Sequence, residues 1–365
     1  VKHSKIVGGS TAKRVMNCPG SVALVDKMPP KPSSDHADRG TLLHNAMPLI
    51  LEGARPASVI GMTYEKQVLT QELFDEKIVP ALVALDRIDP DKQMEMAVES
   101  EVNFADLLPG VFGSADVLGR IGNRGIVLDW KFGDGVIVEA QENEQMMFYA
   151  AAAMLTEGTE WVFNGVEEVE LIIVQPPEVR RWVTTPARIR QFERELILAV
   201  TLSKAPDAPV KMGDWCKWCA AKPICPAQTG AVARALQSKI DALDISDQMA
   251  ALPQLKEWIA SVEELALQLL EEQKEIPGYK LVAKRATRKW VDEVQCRLKL
   301  SEMGVNLEDV SELKSPAQVE KVLKSKLPDD MIVSVSTGNT IAPESDSRPA
   351  VLLTGRLKDA LNKLR

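Results

Sequence analysis

Three short stretches decide how this chain is read: Gly113-Ser114-Ala115-Asp116, Val127-Leu128-Asp129-Trp130-Lys131 and Gln145-Met146-Met147-Phe148-Tyr149. Val111 to Ile121 and Gly125 to Phe132 read as strands, joined by the strong hairpin turn Gly122-Asn123-Arg124-Gly125. A strand alternates faces at every residue. Asp129 and Lys131 therefore share a face, Trp130 takes the other, and Asp116 on the neighbouring strand can come alongside Asp129. A helix expected over about 139–155 puts Gln145 and Tyr149, four residues apart, on one side.

Working outward, helical patterns are expected over 11–26 with Cys18, over 40–51 with His44, and over 70–85. The stretch 94–104 alternates as a strand, and Leu171-Ile172-Ile173-Val174 reads as a buried one ended by Pro176-Pro177. Arg181 to Thr184 can pair beside it, and Thr185-Pro186 opens a helix to about Leu202. Strands, helix, strand, strand and helix in that order give an α/β fold, a mixed central sheet flanked by helices. Helices are expected over 231–243 and 247–274. A smaller α+β region follows, with a strand at 279–283, helices near 291–303, 317–323 and 357–363, and a Ser/Thr/Pro-rich loop at 334–349. The expected division is a first domain over 1–229, a helical connector over 230–275 and a small C-terminal domain over 276–365.

The composition is that of a soluble globular chain: 365 residues, 45% hydrophobic and 26% charged. No apolar run approaches the ~20 residues of a membrane helix, and no secretory pattern is evident, so the expectation is a cytoplasmic protein with no membrane partner. A net charge of −8 argues against a generally basic nucleic-acid-coating surface, but leaves room for a local basic groove. There is no Gly-x-x-x-x-Gly-Lys-Ser/Thr phosphate loop.

Two carboxylates on adjacent strands make a hard-oxygen site suited to Mg²⁺ or Mn²⁺. The backbone carbonyl of Trp130 lies between them as a further donor, and His44 offers an imidazole that favours Mn²⁺. Lys131 is placed to hold a phosphate oxygen, orient water or stabilise developing negative charge. Each piece also has an ordinary reading: a solvated Asp–Lys pair, a core-edge Gln and Tyr, a packed histidine. The joint order of His44, Asp116, Asp129, Lys131, Gln145 and Tyr149 resembles the PD-(D/E)xK nuclease superfamily, and within it the RecB-like branch, over residues 10–228. The resemblance implies a restriction-endonuclease-like central sheet and metal-dependent DNA cleavage, usually from an end. It also implies that His44, Asp116 and Asp129 are metal ligands, Lys131 the catalytic lysine, and Gln145 and Tyr149 supporting residues.

Cys216-x-x-Cys219, five residues, Cys225 and the remote Cys18 offer soft ligands for zinc or an iron–sulfur cluster, while Cys296 reads as ordinary. The spacing is similar to that of iron–sulfur nucleases of the same branch, the CRISPR-associated adaptation nucleases and the AddB subunit. That resemblance implies a [4Fe–4S] cluster held by Cys18, Cys216, Cys219 and Cys225, with Zn²⁺ as the alternative. The whole chain also resembles a family of phage and prophage proteins. In the tail, Lys280, Lys284, Arg285, Arg288 and Lys289, between Tyr279 and Trp290, read either as a DNA-backbone patch or as a solvated basic strand. The functional expectation is a metal-dependent DNA nuclease, an exonuclease on single strands or ends, in phage or prophage replication or recombination. The alternative is a non-catalytic DNA-binding or assembly module. A homo-oligomer, and phage replication or recombination proteins as partners, are left open.

Overall fold

The computed structural model describes residues 4–30, 33–133, 136–230, 242–303, 315–323, 326–336 and 338–351. The helices expected over 231–243 and 357–363 fall wholly or almost wholly outside these residues. The chain divides into two compact units, residues 1–244 and 245–365.

The first unit is built on one five-stranded sheet: β1 (Glu95–Asn103), β2 (Phe112–Ile121), β3 (Arg124–Trp130), β4 (Glu168–Gln175) and β5 (Glu178–Thr184). The strands lie in that order, with β3–β4 parallel and every other pair antiparallel. The mixed α/β architecture is the expected one. The parallel step needs a crossover, and a helix, α6 (Glu144–Ala153), lies within it.

Alternation along β3 and β4 divides the core in two. Val127, Leu171 and Ile173 face one layer, packed with Met146 to Ala153 of α6 and with Ile189, Phe192, Leu196 and Val200 of α7 (Pro186–Ser203). Ile126, Leu128, Trp130, Ile172 and Val174 face the other layer. There they meet Leu42, Leu43 and Met47 of α3 (Asp35–Leu51), and α5 (Val79–Ile88), which continues α4 (Gln71–Leu73) through a π-helical turn at Phe74–Ile78. Every residue of α6 from Met146 to Ala153 is buried, which explains why it shows no amphipathic stripe. Asn143 starts it by accepting from the amides of Gln145 and Met146.

The stretch expected as one helix over 11–26 is two short ones, α1 (Ala12–Asn17) and α2 (Ser21–Val25). Cys18-Pro19-Gly20 breaks it, since proline removes a helical donor. Gly20 is needed here, because a Cβ would lie 2.5 Å from the Ala208 carbonyl oxygen.

The second unit contains all but the first turn of α8 (Ala242–Glu271), with α9 (Glu293–Glu302) and α10 (Pro316–Leu323). Two antiparallel strand pairs accompany them: β6 (Tyr279–Ala283) with β9 (Asn339–Pro343), and β7 (Thr287–Trp290) with β8 (Ile332–Val335). The expected loop at 334–349 therefore contains a strand. Its Ser and Pro content hides Thr340-Ile341-Ala342, whose pairing comes from a partner about sixty residues away, and β-structure depends on such context more than on local preference. Among the described residues no helix is long and apolar enough to cross a membrane.

Leu128 is fully buried at the centre of the sheet. Leu128→Ala is expected to lower the stability of the first unit by about 2–5 kcal/mol in urea denaturation. Val183→Ala, on the exposed face of edge strand β5, is expected to change it by no more than about 0.5 kcal/mol.

Candidate functional site

The site lies where β2 and β3 part. Their backbone pairing runs from Ile121–Arg124 to Val117–Leu128 and stops there. The next step of the register would set Asp116 against Asp129. Instead the Asp116 side chain takes over from the backbone, its Oδ2 accepting from the Trp130 amide at 2.7 Å. On the other flank, Val98 pairs with Val117 and Ser100 with Ala115, so Glu99 lies opposite Asp116. Glu99 itself drops out of the pairing and holds a φ of +47°. The result is a row of three carboxylates, Glu99, Asp116 and Asp129, across three neighbouring strands.

His44 comes to this row from α3, with Nδ1 3.4 Å from Asp116 Oδ2 and its ring edge-on to Phe132. Ligand atoms of His44, Glu99 and Asp116 lie within 4.8 Å of one another, the one such compact group among the described residues. Asp129 is turned toward the lysine. Its Oδ2 is 2.6 Å from Lys131 Nζ and its Oδ1 accepts from Gln145 Nε2 at 3.1 Å. Gln145 clamps the group: its Oε1 accepts from Lys131 Nζ at 3.1 Å, while its Nε2 also donates to Tyr149 Oη at 3.0 Å. The structure thus brings together His44, Asp116, Asp129, Lys131, Gln145 and Tyr149, with the Trp130 backbone between them.

The electrostatics are those of a site short of positive charge. Burial raises the Asp129 carboxyl by more than the adjoining Lys131 ammonium lowers it, and Asp116 adds a smaller repulsion. Glu99 is open to solvent on one side, yet partial burial of its carboxyl and the neighbouring Asp116 hold it above the usual range. Burial opposes the His44 imidazolium, but Asp116 and then Asp129 outweigh it and raise that group. Burial, followed by Asp129, pushes the Tyr149 phenol up, so the hydroxyl keeps its proton. Three hard oxygen donors and one imidazole, carrying unneutralised negative charge, suit Mg²⁺ or Mn²⁺.

Glu99 is the residue the sequence reading missed. In 94–104 it is one of several acidic residues alternating with Met96, Val98 and Val102, as on any half-exposed strand. Only the register with Asp116 distinguishes it.

The cysteines lie at a different place. Cys18 ends α1, with its Sγ accepting from the Lys211 amide at 3.4 Å, and the Gly20 amide bonds the Pro209 carbonyl at 3.0 Å. Cys18 and Cys225 are buried, and Cys216 and Cys219 half-buried. Burial raises the Cys216 and Cys219 thiols. Cys18 and Cys225 add to the effect at Cys216, while the Arg14 guanidinium opposes it at Cys219. All are free thiols, and no three of the four sulfurs come within 4.8 Å of one another. Cys296 sits in the small core of the second unit, donating to the Met331 carbonyl.

Of the tail residues, Arg288 forms two hydrogen bonds with Glu320, and Lys280 donates to the Asp346 carbonyl. Residues Lys284, Arg285 and Lys289 are exposed.

Residues 3–349 match the family described as "Protein of unknown function (DUF2800)". The chain belongs to that family. Solved structures similar to this DUF2800 chain include an alkaline exonuclease (LHK-Exo) from Laribacter hongkongensis. It is 10% identical, with 55% of this chain and 89% of that one covered and a TM-score of 0.27. A phage related exonuclease from Haemophilus somnus 129PT is 9% identical, with 54% and 92% covered and a TM-score of 0.24.

A raised carboxyl destabilises the folded state once it ionises. Its favourable contribution is complete below the unfolded pKa and is lost as pH rises through the folded one. At neutral pH without divalent metal, Glu99→Gln is therefore expected to raise the melting temperature of the first unit. It is also expected to shrink the stabilisation that Mn²⁺ gives the unsubstituted protein, both read by thermal unfolding in EDTA and in Mn²⁺.

Proposed function

We propose that this chain is a divalent-metal-dependent deoxyribonuclease that hydrolyses phosphodiester bonds in single strands or at DNA ends, serving phage or prophage replication or recombination. The observation that carries the reading is the Lys131 ammonium, held by Gln145 and Asp129, beside a row of carboxylates that has no sufficient counter-charge.

His44, Glu99, Asp116 and Asp129, with the Trp130 carbonyl at the strand end, would hold the metal. When bound, it makes hydroxide available near neutral pH and offsets the charge of the phosphodiester. The protein's own groups do the rest. Lys131 is partly exposed and can reach a phosphate oxygen, where its charge counts most as negative charge develops. Gln145 fixes the lysine and Asp129 with one amide, so the carboxylate–lysine geometry does not depend on substrate. Tyr149, kept protonated, orients Gln145 and retains a proton to donate.

Cys18, Cys216, Cys219 and Cys225 are proposed to hold a [4Fe–4S] cluster. The spacing Cys216-x-x-Cys219, five residues and Cys225, with the remote Cys18, is what favours the cluster over a single zinc. Closing a loop of about 200 residues removes unfolded-state entropy worth on the order of 4–5 kcal/mol by the disulfide analogy. The exposed Lys284, Arg285 and Lys289 are the part of the tail patch left to follow a phosphate backbone.

Lys131→Ala is expected to lower cleavage of end-labelled DNA in Mn²⁺ by about 10²–10³-fold or more, with folding and cluster content unchanged. Full activity in that variant overturns the assignment. The second reading, a non-catalytic DNA-binding or assembly module, predicts no cleavage by the unsubstituted protein either. The intact carboxylate–lysine set is the observation against it. Anaerobic purification is expected to yield about four irons and four sulfides per chain with visible absorption, lost in Cys18→Ser. One zinc per chain instead contradicts the cluster.

A further inference from the structure

The segment 211–225 carries two tryptophans with opposite roles. Trp215 is half-buried, its indole N–H donates to the Lys211 carbonyl at 3.0 Å, and its ring lies where a Gly213 Cβ would be. It holds the turn together. Trp218 sits between Cys216 and Cys219 and is 80% exposed, the most exposed large hydrophobic side chain among the described residues. A ring that open belongs to no part of the core. What lies on it is a charge: Lys217 Nζ stands 5.2 Å from the ring centroid.

The surroundings are basic in an acidic chain. Residues 211–225 contain Lys211, Lys217 and Lys222 against a single acidic residue, Asp214, while the whole chain carries −8. Asp214 is itself paired with Lys13 of α1. That pair also fixes where the segment is. Lys13 feels the charge of Glu144, the residue before Gln145, and the turn Gly9–Thr11 ahead of α1 lies against Tyr149, so close that a Gly9 Cβ would be 2.8 Å from its Oη. The cysteine segment is therefore anchored through α1 to the helix that carries Gln145 and Tyr149.

We infer that Trp218, with Lys217, is a base-stacking subsite for single-stranded DNA beside the cleavage site. This deepens the nuclease proposal and rests on it. An exposed indole offers a face to any base, and an adjacent ammonium offers a contact to the neighbouring phosphate, the combination that sequence-tolerant single-strand sites use. Duplex interiors bury the base faces, so the subsite favours an unpaired strand or a frayed end. A protein partner fits less well, because the cores of protein interfaces are depleted in lysine.

The test measures fluorescence anisotropy of a labelled single strand and of a blunt duplex, in Ca²⁺ without Mg²⁺ or Mn²⁺. The full chain is compared with Trp218→Ala, Trp218→Phe and Lys217→Ala, with folding checked by circular dichroism. Trp218→Ala is expected to bind the single strand roughly 5- to 150-fold more weakly. Trp218→Phe, which keeps a ring, is expected to stay within about fivefold of the parent, and Lys217→Ala to lower the salt slope by about 0.7. Duplex affinity is expected to change little. If Trp218→Ala fails to fold, Trp218→Phe and Lys217→Ala still decide through the retained affinity and the reduced slope. Unchanged single-strand affinity in Trp218→Ala overturns the inference and leaves a protein contact as the reading of the ring. Equal loss on single strand and duplex overturns it too. If the unsubstituted chain neither binds nor cuts any DNA, the nuclease reading falls as well. If it binds and cuts while Trp218→Ala matches it, the subsite alone falls.

Discussion

Asp116 and Asp129 stand just past the point where the pairing of two strands ends, and much of the first unit serves to hold them there. Like charges repel, and more strongly where water is excluded. Here Asp129 is buried and Asp116 nearly so. The compensation is local and incomplete: the Trp130 amide on Asp116, His44 beside it, and Lys131 with Gln145 on Asp129. Glu99 then adds a third carboxylate rather than relieving the first two. Apolar layers on both faces of β3 and β4 supply the rigidity that keeps such a row from spreading. A carboxylate row with so little counter-charge costs stability, the pattern expected where function opposes folding.

The cysteine segment and this site share a support. Cys18 closes α1, backbone bonds from Lys211 and Gly20 tie that end to residues 209–211, and the turn before α1 seats Tyr149. Whatever fixes Cys18 to Cys216, Cys219 and Cys225 therefore fixes the wall against which Tyr149, and through it Gln145, is held. A group bound there can be purely structural and still govern the geometry at Lys131.

The legible parts of the sequence were those with a short-range cause. The Gly122–Gly125 turn set the β2–β3 hairpin, period-two alternation put Asp129 and Lys131 on one face, and four-residue spacing put Gln145 over them. The break at Cys18-Pro19-Gly20 had its signal in the proline, which the apolar pattern around it concealed. Glu99 had no local signal, because its importance comes from lying opposite Asp116 across β1 and β2 and from a positive φ that glutamate seldom adopts. The strand Asn339–Pro343 was hidden for the same reason: its partner is distant and its composition resembles a loop. Contacts made across the sheet, not along the chain, are what one sequence withholds.

Metal-dependent cleavage of DNA at the carboxylate row and Lys131 is the proposal on which the function rests. The most direct measurement is incubation of the purified, anaerobically handled protein with an end-labelled single strand, in Mn²⁺ and in EDTA, at neutral pH. Shortened products are expected in Mn²⁺ and none in EDTA. Intact strands in every divalent metal tried, from a protein that still binds the DNA, would contradict the proposal.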